Sequence, residues 1–179
     1  IVERKKKMKK LVIILAIVTT ILVINKEEKI VIPKEAIRFR VIANSNSAED
    51  QGIKKKIVNN LNQEIRKITT LNTSLKNSRN NIKKEIPSFA KVVHNTLAEQ
   101  NMNLEFTIDY GMNYFPEKEY KGIVYEEGEY ESLVITLGDG QGENFWCVLF
   151  PPLCLLDTNE VPKDVEYTSF VKELIDKYF

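Results

Sequence analysis

The side chains of this sequence best suited to chemistry are two cysteines and one histidine. Cys147 and Cys154 lie in the apolar segment 144–157, and His94 lies in a predicted helix among aliphatic residues. A thiolate beside a histidine base is the arrangement of a nucleophilic hydrolase, with Cys147 as nucleophile and His94 as base. No known nucleophile motif surrounds either residue, and two cysteines with one distant histidine do not make a zinc site. We therefore expect neither catalysis nor a metal or other cofactor, and keep the hydrolase as the alternative.

A second chemistry open to the cysteines is a disulfide bond with each other. They are placed symmetrically about the Phe150–Pro151 bond, so a chain reversal there would bring them opposite each other. In a tight turn with Pro151 at the second central position, that bond would be cis, whereas a longer loop avoids the requirement. Two buried thiols that pack as small apolar groups remain the alternative.

The same segment is also a candidate contact surface. It contains the only Trp of the chain and a Pro-Pro step, which a central strand does not tolerate. Large aromatic side chains on a stiff loop are typical of binding hot spots. The alternative is that these residues are core. The candidate contact residues are Trp146, Phe150, Pro151, Pro152 and Leu153, together with Arg38 and Arg40, which would meet an acidic partner or the acidic last third of the chain.

The amino-terminal residues predict export. Six Lys and Arg residues precede the uncharged run 11–24. That run would be about 21 Å long as a helix, which fits a signal peptide better than a full membrane span of about 20 apolar residues. We expect residues 1–24 to be a signal peptide or signal anchor and residues 25–179 to be one extracytoplasmic domain. Lys54, Lys55 and Lys56 lie in a basic region that would suit a membrane surface, and export argues against nucleic-acid binding.

Periodicity predicts an α+β fold with a helical middle, an antiparallel sheet and a C-terminal helix. A strand is expected over 35–44, and a capping box at Ser47 should open a helix. A second helix should stop at Pro87, where a third begins. Strands follow, one ending at Gly111, and the glycines of 138–142 predict a hairpin turn rather than a phosphate loop. The closing helix is expected at Tyr167–Tyr178.

Three blocks of the sequence resemble the stage II sporulation protein R family. They are residues 37–51 with the following Lys54 and Lys56, residues 114–120, and residues 128–157, whose Trp-Cys-Val-Leu-Phe-Pro-Pro-Leu-Cys string is the most specific. Phe145, Asp139 and the Glu126-Glu127 pair depart from the usual residues of the family. The middle of the chain adds little to the resemblance.

The resemblance implies a signalling role. Members of this family are made in the forespore of endospore-forming bacteria and exported into the space between the two sporulation membranes. There they are needed to activate a membrane-embedded aspartic protease of the mother cell, which processes the sigma factor E precursor. On this interpretation the chain is a ligand of the protease and must bind its active form better than its inactive form.

Overall fold

In the computed structural model, the described residues are 4, 10, 12–14, 30–71, 74–120, 122–154 and 167–179. The chain divides into two compact units, residues 1–30 and residues 31–179. Most of the predicted leader, residues 1–24, lies outside the described residues. Among the helices that the structure describes, none has the length and apolar character needed to cross a bilayer.

The second unit combines two sheets with three helices, which confirms the α+β class, the helical middle and the C-terminal helix. The three-stranded sheet has the order β1-β5-β4 and the four-stranded sheet has the order β3-β6-β2-β7. In chain order the elements are β1 (Ile30–Val31), β2 (Ile37–Ile42), α1 (Ala48–Leu71), α2 (Leu75–Glu99), β3 (Phe106–Phe115), β4 (Lys118–Tyr120), β5 (Ile123–Tyr125), β6 (Gly128–Leu137), β7 (Asn144–Phe150) and α3 (Tyr167–Tyr178).

The larger sheet is mixed, because β2 is inserted between β6 and β7. It pairs in parallel with β6 and antiparallel with β7, while β3 pairs antiparallel with β6 along its whole length. The predicted hairpin between β6 and β7 is therefore wrong: residues 138–142 pass over the end of β2 instead of reversing beside it. The sequence predicted that β3 would end at Gly111. The strand continues four residues further, because it pairs with β6 along that stretch.

Helix α1 begins after Ser47 as predicted, with one half of the capping box, because the Ser47 backbone N–H donates to Ser45 Oγ instead of the Asp50 carboxylate. The backbone N–H of Asp50 donates to Ser47 Oγ at 3.1 Å, which satisfies one of the free amides of the first turn. One face of the helix is then apolar at helical spacing and faces the core. The residues of this stripe are all buried: Ile53, Ile57, Leu61, Ile65 and Ile68.

Helix α2 runs without a break through Pro87, so the predicted stop at this residue is wrong. Proline removes the hydrogen bond to the carbonyl four residues earlier, which belongs to Lys83. Both residues are exposed, so that this carbonyl lies on the solvent side of the helix. The core-facing side keeps its spacing across the proline, since Ile82 before it and Phe89 after it are both fully buried. Burial on that side outweighs the local preference for a stop.

The two faces of the larger sheet differ in composition. The face that carries Phe39 of β2 joins the helices in the main hydrophobic core, together with Leu133 and Ile135 of β6. The opposite face carries Arg38 and Arg40, because successive side chains of a strand point to opposite sides. The first face explains why the domain folds, and the second holds the candidate site.

Candidate binding cleft

Two arginines of β2 lie in a shell of aromatic rings on the sheet face that points away from α1 and α2. The guanidinium carbon of Arg38 is 3.7 Å from the ring centre of Tyr130, 5.1 Å from that of Phe115 and 5.5 Å from that of Tyr125. Arg40 lies 5.3 Å from the ring of Trp146. These distances permit cation–π attraction, which the ring faces provide without a formal negative charge.

Neither guanidinium has a carboxylate partner in the part of the chain that the structure describes. Arg38 is only 3% exposed, and its Nη2 donates to the backbone carbonyl of Glu126 at 3.3 Å. The Nε atoms of Arg38 and Arg40 are both buried without a hydrogen-bond acceptor. Burial lowers the pKa of each guanidinium from its usual value, because desolvation disfavours the charged form. The guanidinium of Arg38, the more deeply buried of the two, is thus held in an environment that an approaching anion would improve.

A cleft of about 840 Å³ opens beside this cluster. Arg38 forms part of its wall, and Arg40 does not. Aromatic side chains supply much of the rest, including Phe115, Tyr125 and Trp146. A cavity of this size lies within the range of ligand sites, about 300–1,000 Å³. The remaining lining residues are the residue after β3, the whole of β4, several residues of β7 with the one before it, and one in the turn after it: Pro116, Lys118, Glu119, Tyr120, Glu143, Asn144, Phe145, Cys147, Val148 and Leu153.

Trp146 is half-buried and contributes to two contacts at once. Its ring packs edge-on against Phe115, with 5.3 Å between ring centres, and also lies over Arg40. Part of the indole remains accessible within the cleft. Of the aromatic residues predicted to form a contact surface, Trp146 is the one that the structure leaves open to a partner.

The rest of the predicted contact segment lies largely inside the fold. Phe150 and Leu153 are 1% and 3% exposed, Pro151 is also buried, and Pro152 is half-buried. The ring of Phe150 packs against Tyr178 of α3 at 5.0 Å. These residues mainly anchor the turn after β7 to the core. Of the predicted contact residues, Trp146, Pro152 and Arg40 keep accessible surface, while Arg38 and Leu153 are buried residues of the cleft wall.

The two cysteines are joined by a disulfide bond, with their Cα atoms 5.4 Å apart. The bond spans the turn whose Phe150–Pro151 peptide is cis. A disulfide-bonded Cys147 has no thiolate, and His94 is exposed on α2. The hydrolase alternative requires a free thiolate at Cys147, so the oxidised domain lacks the nucleophile on which that reaction depends.

The three consecutive lysines at the start of α1 are not equivalent. Lys54 is 6% exposed, and its Nζ donates to the backbone carbonyl of Glu143 at 2.7 Å. Burial lowers the pKa of Lys54, opposed by the nearby charge of Glu143. Lys55 and Lys56 remain exposed. A membrane surface would therefore meet only two of the three lysines predicted to face it.

Sequence reasoning missed a polar junction that holds β7 beside β2. The loop 138–142 docks onto the residues after β2: the backbone N–H of Asp139 donates to Asn44 Oδ1 at 3.0 Å, and that of Glu143 donates to Asn46 Oδ1 at 2.7 Å. The Asp50 carboxylate accepts from Asn44 Nδ2 at 3.0 Å and from Ser45 Oγ at 2.5 Å. The sequence signal was present, because the Asn-Ser-Asn run and the glycine loop both belong to the blocks that resemble the family.

Comparison with known proteins gives one family. A sequence model described as "Stage II sporulation protein R" matches residues 33–160. A protein named stage II sporulation protein R from Bacillus subtilis (strain 168) is 38% identical over 154 residues, which are 85% of this chain and 69% of that relative. No solved structure matches the chain. The matched range includes the arginine–aromatic cluster, the cleft and the disulfide.

Proposed function

Because this chain belongs to the stage II sporulation protein R family and therefore has a role in sporulation, we propose that it is an exported signalling protein. It leaves the forespore for the space between the two sporulation membranes. There it activates a membrane-embedded aspartic protease of the mother cell, which then processes the sigma factor E precursor. Its cationic and apolar amino-terminal segment supports the export step.

The observation that carries this proposal is the cleft with its unmatched arginine. A protein that acts as a ligand needs a surface whose interactions are completed by the partner. Arg38 and the accessible part of Trp146 form such a surface, since a buried cation and a large aromatic ring are frequent anchors of protein interfaces. Activation then requires that the cleft bind the active form of the protease more tightly than the inactive form.

The test is to reconstitute the signal in a bacterium that does not sporulate. The full chain is co-expressed with the protease and the sigma factor E precursor of the same organism, and precursor size is followed on gels. We expect processing with the full chain and none with a chain that lacks residues 1–24. A protease variant without its catalytic aspartate is the matched control. Absence of processing, with all three proteins present and the chain exported, would contradict the proposal.

A further inference from the structure

The cleft follows the outer edge of the larger sheet. Strand β7 is the last strand in the order β3-β6-β2-β7, and within the described residues no strand pairs with its outer side. Six consecutive residues, 143–148, line the cleft. Because the side chains of a strand alternate between faces, this consecutive run indicates that the cleft reaches the edge of β7 as well as the face that carries Arg38. The backbone groups of an edge strand are available to pair with another extended segment.

Two residues that line the cleft, Arg38 and Asn144, each have a buried polar atom without a hydrogen-bond partner. Nε of Arg38 is a buried donor without an acceptor, and Oδ1 of Asn144 is a buried acceptor without a donor. Such atoms are uncommon in folded proteins, since a buried polar group without a partner keeps its full desolvation penalty. A peptide offers the missing complement of both kinds once these side chains turn toward the cleft: a carboxylate for the guanidinium of Arg38, and backbone N–H groups for the amide oxygen of Asn144.

The lining of the cleft carries as many acids as cations, so a preference for an acidic segment depends on Arg38. Arg38 and Lys118 are its cations, and Glu119 and Glu143 are its acids. The Glu143 charge acts on Lys54, outside the cleft. Arg38 is surrounded by the rings of Phe115, Tyr125 and Tyr130 and forms no ion pair with any described carboxylate. In a desolvated site, a guanidinium and a carboxylate form a strong and geometrically specific pair.

We propose that the cleft receives an extended segment of a partner protein, which lies along β7 and places one carboxylate against Arg38. This is β-strand addition, in which the edge backbone gives affinity and the side-chain sites give specificity. Arg38 selects an acidic side chain, and the ring of Trp146 covers the neighbouring residue. The inference rests on the proposed function, because the partner would be the activated protease. The recognition chemistry can be tested without the protease.

The test uses synthetic peptides and the oxidised domain. The probe is a capped ten-residue peptide of alternating Thr and Val, with one central Glu and a Lys at each end for solubility. The matched control replaces this Glu by Gln. Calorimetry gives the affinity, and the fluorescence of Trp146, the only Trp of the chain, reports binding in the cleft. We expect the Gln peptide to bind about tenfold more weakly or worse, because one partner of a desolvated charge pair is lost.

The protein side of the pair is tested with two matched variants. Arg38→Met removes the charge in the cleft wall and keeps an unbranched side chain among the rings. Arg40→Met makes the same change two residues along, on the same sheet face but outside the cleft. We expect Arg38→Met to abolish the preference for Glu over Gln and Arg40→Met to keep it. Because the peptide comparison leaves the protein unchanged, it stands even where a variant folds poorly.

The failures of the two proposals can be told apart. Equal affinity for the Glu and Gln peptides, or no saturable binding up to about 1 mM peptide, would overturn the cleft assignment while precursor processing could still occur. A Trp146 response to phosphatidylglycerol vesicles without any response to the Glu peptide would also overturn it, in favour of a lipid surface. Selective binding of the Glu peptide without precursor processing would leave the cleft standing and contradict the proposed function.

Discussion

Neighbouring residues of β2 point to opposite faces of the larger sheet, and the two faces are stabilised in different ways. Phe39 is fully buried among the side chains of α1, α2 and β6. Its neighbour Arg38 is almost as deeply buried, but it lies among aromatic rings and forms no ion pair with a described residue. The first face is complete within the chain. The second is left with unmatched polar atoms, as expected of a surface that a partner completes.

The free energy of burying a side chain is favourable on the apolar face of the sheet and unfavourable for the charge on the other face. Burial of an apolar side chain stabilises the fold by about 1.5–3 kcal/mol. An unpaired charge costs several kcal/mol to desolvate, and cation–π contacts return about 0.5–2 kcal/mol each. A sheet face that was optimised for stability alone would carry an apolar residue in place of Arg38. The charge of Arg38 in the cleft wall is therefore better explained by binding than by folding.

The largest effect is expected on the helix-covered face. Phe39→Ala should lower the free energy of unfolding by about 3–5 kcal/mol, because it leaves a cavity in the main core. Urea unfolding followed by circular dichroism measures the change. If the free energy of unfolding fell by less than about 1 kcal/mol, this face would not stabilise the fold as proposed. The contrast between the two faces would then fail.

The junction that places β7 in the sheet should be the next most sensitive. A Cβ at Gly142 would overlap the backbone oxygen of Ser45, so Gly142→Ala should cost about 1–3 kcal/mol through displacement of the loop. The control is Gly52→Ala in α1, where a Cβ meets nothing within 4 Å; it should stabilise the helix by about 0.5–1 kcal/mol. Equal urea midpoints for the two variants would contradict the close approach at Gly142.

The Asp50 carboxylate makes the same junction dependent on pH. Hydrogen bonds, the first of them from Ser45, hold the pKa of Asp50 below its ordinary value. Its contribution to stability is present above the unfolded-state pKa of about 3.9 and is lost as the pH falls through the lower folded-state pKa. Asp50→Asn should cost about 1 kcal/mol or more at pH 7 and should weaken the acid dependence of stability.

Unfolding curves from pH 7 to pH 3 measure this difference. Glu49→Gln is the matched control, since Glu49 is its exposed neighbour in the same helical turn. An acid dependence that is identical in wild type and Asp50→Asn would show that the carboxylate does not stabilise the junction.

The smallest effect on stability is expected on the cleft face. Arg38→Met should change the free energy of unfolding by no more than about 1 kcal/mol in either direction, because apolar replacement of a buried charge is often neutral or stabilising. The measurement is the same urea titration as for Phe39→Ala. A loss as large as that of Phe39→Ala would make Arg38 a structural residue and would break the comparison.

Sequence periodicity predicted the elements better than their arrangement. The stripe from Ile53 to Ile68, the bounds of α3 and the shared side of Arg38 and Arg40 all follow from local spacing. The place of β2 between β6 and β7 depends on pairing between distant segments, so it leaves no local signal. The helix stop predicted at Pro87 was wrong for the same reason, since the packing that keeps α2 continuous comes from other elements. The aromatic shell of Arg38 likewise combines β3, β5 and β6 and could not be predicted from any one of them.

The central claim is that the cleft face carries the signal, and the most direct measurement is sigma factor E precursor processing by matched variants. Cells that express the protease and the sigma factor E precursor also express the wild-type chain, Arg38→Met or Arg40→Met. Each form must be exported and folded in equal amounts. The account predicts processing with wild type and Arg40→Met, and loss of most processing with Arg38→Met. Wild-type processing by Arg38→Met would contradict it.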